Sequence, residues 1–150
     1  MITRRDLLVA LVTAGATLGG VATLRSQQPV MGSRVFDWES LAPRSTAVGY
    51  SRPIVQQPTA TLDELEMHYT SLHYGKLSHA AHQHPDEELI VVKEGIVESL
   101  VNGQTQKVGP GSVIFQAANQ MHSIRNAGPG VATYLVIRWN SPGMLRRTSQ

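Results

Sequence analysis

From Leu62 onward, apolar and polar positions alternate in short runs, each closed by turn residues. Residues 66–72 alternate and carry Tyr and Thr, the pattern of a half-buried strand. Glu88-Leu89-Ile90-Val91-Val92-Lys93 is more continuously apolar and stops at Glu94-Gly95. Residues 96–101 and 104–108 flank Asn102-Gly103, a dipeptide that accepts the positive φ of a two-residue turn, and so predict a hairpin. Gly109-Pro110-Gly111 turns the chain into Val113-Ile114-Phe115, and Gly128-Pro129-Gly130 turns it into a closing strand over 131–139. No long amphipathic helix is patterned into this region. Short strands at such regular spacing predict an all-β fold over 62–140, a sandwich or single jelly-roll β-barrel rather than an α/β sheet.

Residues 25–61 read as an N-terminal extension of that barrel and 141–150 as a C-terminal tail. Phe36, Trp38 and Leu41 alternate loosely, which predicts one short strand packed on the barrel. Pro43, Pro53 and Pro58 predict loop and edge segments for the rest. Val35-Phe36-Asp37-Trp38 is apolar enough to cross to a partner barrel, which would make a homodimer; folding back on its own barrel is the alternative.

Residues 1–24 are of another kind. A paired arginine, Arg4-Arg5, precedes an uncharged run from Leu7 to Leu24 diluted with Gly, Thr and Ala. Thr3-Arg4-Arg5-Asp6-Leu7-Leu8 resembles a twin-arginine export signal, and small-x-small sites at Ala14-Gly15-Ala16 and Gly20-Val21-Ala22 suit a signal peptidase. The run is Gly-rich and weakly apolar for a span, so cleavage near Ala22 is expected, with a retained membrane anchor as the alternative. The mature protein is then expected in the periplasm or outside the cell, free of the membrane.

Composition narrows the partners. A chain of 150 residues with a net charge of +2 and scattered basic residues has no nucleic-acid footprint. It has no cysteine, hence no disulfide and no lipid-anchoring thiol.

The chemistry concentrates in His82-Gln83-His84-Pro85-Asp86-Glu87-Glu88 and in His122. Histidines at i and i+2 share one face of an extended strand. A third histidine and a carboxylate arriving from elsewhere would complete a compact set of three nitrogens and one oxygen, donors that Fe, Mn, Ni, Cu and Zn accept. The motif His82-x-His84-x3-Glu88-x6-Gly95 resembles the first conserved motif of the cupin superfamily. Gly111-x5-Ala117-x-Asn119-x2-His122-x3-Asn126 is similar to its second. In this second motif Ala117 replaces the usual proline and Asn119 the usual glycine; Asn tolerates a left-handed turn best after Gly.

That resemblance implies that His82, His84, Glu88 and His122 bind one divalent metal ion. It covers about residues 62–139. His79, in the loop before the first ligand, is placed at the rim of a substrate pocket, with a solvated loop as the alternative. His68 and His73 are expected to be ordinary strand or surface positions, and Glu87 a solvated neighbour of Glu88. No further inward carboxylate pair is evident. The resemblance leaves two classes of function open. One is a metal-dependent enzyme, dioxygenase-like or else an isomerase or lyase, acting on a small oxygenated molecule such as a phenol, keto acid or sugar acid. The other is a module that binds such a molecule without turnover.

Overall fold

The computed structural model describes residues 29–144. The export-signal segment and most of the C-terminal tail lie outside the described residues.

Among the described residues there are nine antiparallel strands: β1 (Arg44–Thr46), β2 (Gly49–Gln57), β3 (Glu64–Leu72), β4 (Glu87–Glu94), β5 (Val97–Val101), β6 (Gln104–Val108), β7 (Val113–Gln116), β8 (Ser123–Asn126) and β9 (Ala132–Asn140). They form a six-stranded sheet ordered β1-β2-β3-β9-β4-β7 and a three-stranded sheet ordered β6-β5-β8. One apolar core lies between them. Leu72, Ile90, Val92, Tyr134 and Val136 come from the large sheet, and Val97 and Ile124 from the small one. The fold is the expected all-β jelly roll.

The turns follow their residues. Asn102 (φ 51°) and Gly103 (φ 75°) both sit at positive φ and close the β5–β6 hairpin in the register Val101↔Gln104. Gly95 (φ 77°) turns β4 into β5 so tightly that a Cβ there would lie 2.7 Å from the Cα of Ala132. Asn119 adopts φ 58°, the left-handed turn expected of it in place of glycine.

Two expectations for the extension are corrected. Phe36, Trp38 and Leu41 form no strand: Trp38–Ser40 is a short 3-10 turn. Here Ser40 N–H donates to Asp37 O at 3.0 Å and Leu41 N–H to Trp38 O at 3.1 Å. Local bonds therefore satisfy a backbone that a strand would have had to pair elsewhere. The indole still packs on the large sheet, edge to face with Tyr69 at 4.9 Å and with Lys93 Nζ 3.5 Å from its ring centre.

The proline-punctuated remainder holds two strands, β1 and β2, that extend the large sheet. Pro53 is accommodated because β1 pairs only with Gly49, Tyr50 and Ser51, and because the register with β3 slips between Pro53 and Val55. An uncovered edge and a bulge are where a sheet tolerates a residue without an N–H.

Candidate metal centre

The inner face of the large sheet is laid out by its pairing. Arg138 of β9 stands opposite Glu66 of β3 on one side and Glu88 of β4 on the other. The next inward row is His68, Val136 and Ile90, and the row after it Thr70, Tyr134 and Val92. Parity thus carries polar side chains to one end of the sandwich and apolar ones to its middle.

At the polar end the chain between β3 and β4 meets the start of β8. His82 N–H donates to His122 O at 3.1 Å and His122 N–H to His82 O at 2.9 Å, an isolated antiparallel bridge. The sequence expectation put His82 and His84 on one regular strand. The structure has only this bridge, followed by a bend through Pro85, which cannot donate to a ladder. Asn119 N–H instead fixes the loop by donating to His84 O at 2.7 Å.

The three imidazoles converge nonetheless. One ligand atom from each of His82, His84 and His122 lies within 4.8 Å of the other two. Ring centres are 4.5 Å apart for His82 and His122, 4.7 Å for His84 and His122, and 5.4 Å for His82 and His84. Glu88 lines the same cavity, its Oε2 3.7 Å from His84 Nε2, but stands outside the compact triad. His79 also lines the cavity, exposed, with its ring edge-on to His82 at 4.0 Å.

The donor chemistry fits a divalent cation. His122 bonds Gln120 O through Nδ1 at 2.8 Å and His84 bonds Asp86 O through Nδ1 at 3.1 Å. A ring that donates from Nδ1 keeps the Nε2 lone pair free, as a metal ligand requires. His122 Nε2 and His82 Nδ1 are buried without a hydrogen-bond partner. Such orphaned nitrogens are costly unless something takes their lone pairs. Burial, and then the neighbouring rings of His79, His122 and His84, hold the His82 pKa below its ordinary 6.5, favouring the neutral, ligating form.

Beyond the triad opens a cavity of about 330 Å³, ample for a small organic molecule. Its lining includes residues that sequence reading missed. Glu66 and His68 face the cavity, and Glu66 Oε1 lies 3.2 Å from His68 Nδ1. Arg138 bonds Glu66 Oε2 through Nη2 and reaches Asp86 Oδ2 through Nε at 3.1 Å. The hydrogen bond from His68, and then Arg138, hold the Glu66 carboxyl below its usual range against the opposing effect of burial. Tyr134 is the reverse case: burial, with Glu88 adding to it, pushes its phenol far up, so it stays protonated.

His68 is the strand residue expected of it, but its ring lines the cavity beside Glu66, a carboxylate that the sequence reading did not single out. The available signal was parity. Leu72 is a core residue, so Glu66, His68 and Thr70, at even spacing before it, had to share its face.

Comparison with known proteins agrees with this geometry. Residues 68–138 match the family model described as Cupin_2, cupin domain. No curated protein matches the sequence. Solved structures share the fold at low identity. An RmlC-like cupin from Shewanella frigidimarina is 15% identical, with a TM-score of 0.60 over 77% of this chain and 96% of its own. The polyketide cyclase RemF from Streptomyces resistomycificus is 20% identical, with a TM-score of 0.59 over 75% of this chain and 82% of its own. A sugar phosphate isomerase of the cupin superfamily from Silicibacter pomeroyi is 20% identical, with a TM-score of 0.58 over 73% and 77%. The matched segment covers a little under half of the chain, and the solved structures show that the chain shares their fold.

Proposed function

We propose that this protein is a mononuclear metal-dependent enzyme that converts a small oxygenated organic molecule inside the barrel. The observation that carries the reading is the convergence of three imidazoles, with orphaned nitrogens on His82 and His122, at one end of a cavity holding further acid–base groups. His82, His84 and His122 would hold the ion, with Glu88 completing the set. Such an ion supplies Lewis acidity toward a substrate oxygen or, if redox-active, reactivity with dioxygen.

The chain's own residues do the rest. The Asp86 and Gln120 carbonyls orient two of the rings, and Tyr134 offers the cavity a phenolic proton that it does not lose. Apolar Val136 and Ile124 exclude water behind the polar wall. Three histidines with one glutamate suit a redox metal, which favours dioxygenase-like cleavage of a phenol or keto acid. A second reading, isomerisation or elimination by proton transfer, draws support from Glu66 and His68 in the same cavity. Two of the neighbours carry the names of enzymes, a cyclase and an isomerase, but their likeness speaks only for the fold.

The test is aerobic incubation of metal-loaded protein with a panel of phenols, keto acids and sugar acids, recording oxygen uptake and product. Metal-dependent uptake, lost in Glu88→Ala, is the expected result. Product without uptake selects the isomerase or lyase reading. Tight binding without product from any member overturns the enzyme and leaves a binding module.

The proposal extends to export and assembly. Arg4-Arg5, outside the described residues, would direct the folded protein to the periplasm, so that Lys-Lys at these positions traps the precursor in the cytoplasm. Mature protein reaching the periplasm unimpaired would refute that route. A homodimer through the segment around Val35, which is 91% exposed, is proposed on the same footing.

A further inference from the structure

Among the polar groups of the cavity, one pair is not accounted for by metal binding. Glu66 and His68 lie on β3 and line the same cavity as the triad, but neither belongs to the compact group of three imidazoles. His68 is not a core histidine, since its side chain keeps 27% of its surface open while its Nδ1 is held 3.2 Å from Glu66 Oε1. A carboxylate accepting from Nδ1–H leaves Nε2 as the basic nitrogen of a neutral imidazole.

Glu66 is itself anchored. Its second oxygen takes Arg138 Nη2, Arg138 Nε takes Asp86 Oδ2 at 3.1 Å, and the Asp86 carbonyl accepts from His84 Nδ1 at 3.1 Å. An unbroken chain of polar contacts therefore runs from a ring of the triad to His68, fixing both relative to one cavity.

We propose that His68 is the proton acceptor of this cavity, held in its Nδ1–H tautomer by Glu66, and that it ionises a hydroxyl of a small phenol or hydroxy acid. The step is a proton transfer. The substrate O–H bond breaks, its electron pair stays on the substrate oxygen, and the proton passes to His68 Nε2. The inference rests on the proposed metal-dependent function with a phenol or hydroxy acid as the substrate. The other titratable or charged groups that line the cavity with His68 are Glu66 on its own strand, Arg138 and Tyr134 on β9, Glu88 on β4 and Tyr50 on β2, together with His79 and the imidazoles of the triad.

Zinc-loaded full-length protein with 4-nitrocatechol tests this without turnover, because zinc has no redox chemistry and the probe changes colour when it ionises. Wild type, His68→Gln and Glu66→Gln are titrated with pH, and zinc content is measured on each. The expected result is equal zinc in all three, with the bound probe ionising about one pH unit or more higher in His68→Gln and by a smaller margin higher in Glu66→Gln. An unchanged ionisation pH in zinc-loaded His68→Gln overturns the proposal. Ring-nitrogen NMR of metal-free wild type is the second measurement, independent of any variant's folding. Nδ1–H at His68 is expected, and an Nε2–H tautomer overturns the assignment. Failure of wild type to bind zinc would sink the metal-dependent function instead, leaving the tautomer result to judge His68.

Discussion

Each residue of the triad is placed by something other than the ion it would hold. His84 and His122 commit Nδ1 to a carbonyl, and His82 is held through its backbone bridge to His122. Removing one imidazole should therefore cost the metal and leave the barrel standing. Elemental analysis is expected to find about one divalent ion per chain in wild type and little in His82→Ala or His122→Ala. Equal metal in all three would refute the centre. Acidification should act through the same rings. Because the His82 pKa lies below 6.5 in the folded protein, the unfolded chain takes up a proton first as pH falls through that value. Stability and metal retention should both decline below it. Glu66 adds a lower window with the same sign: its depressed carboxyl contributes stability above the usual carboxylate range and loses it as pH falls further. Arg138→Met would leave Glu66 and Asp86 facing each other without their shared cation. Urea unfolding should show a loss of about 1–3 kcal/mol, moderated by the partial exposure of the arginine.

At the level of elements, the site depends on turns that only certain residues can make. Gly95 combines positive φ with a neighbour that a Cβ would strike, so Gly95→Ala should destabilise by more than about 2 kcal/mol. Asn119 is left-handed and its N–H holds the His84 loop, so Asn119→Gly should be tolerated. Asn119→Val should cost about 1–2 kcal/mol and weaken metal binding with it. Thermal melts of metal-free and zinc-loaded protein separate the two effects. These turns were legible because positive φ is a property of single residues. The second strand of the extension was not, because Pro53 reads locally as a breaker. Only the free edge beside β1 and the bulge at Val55 make it acceptable. Trp38 shows the opposite error. Its apolar neighbours suggested a strand, but the 3-10 turn satisfies the backbone locally and leaves the indole to cover Tyr69.

Over the whole molecule, metal and stability are linked, since an ion that binds the folded triad and not the unfolded chain stabilises the fold by mass action. At a free zinc concentration of 100 times Kd the gain should be about 2.7 kcal/mol, abolished in His122→Ala. A melting temperature indifferent to zinc in wild type would contradict the reading. Assembly belongs to this scale too. The proposed homodimer predicts a doubled mass by light scattering that falls to monomer when the residues before Thr61 are removed or Val35 is made charged. The deletion removes β1 and β2 as well, so the charged Val35 variant is the cleaner arm.

The sequence by itself determined the all-β class, the hairpin at Asn102-Gly103 and the left-handed turn at Asn119, which rest on short-range causes: period-two alternation and backbone sterics. The residues of the triad were legible only through the resemblance to the cupin motifs, and their meeting is a long-range contact. Tertiary structure alone decided that Glu66, His68 and Arg138 share one cavity with the triad and that Arg138 pairs with Asp86. Their positions run from 66 to 138 along the chain, and what unites them is the pairing of β3 and β4 on either side of β9. Alternation along one strand says which side chains share a face. Only the register between strands says what they face.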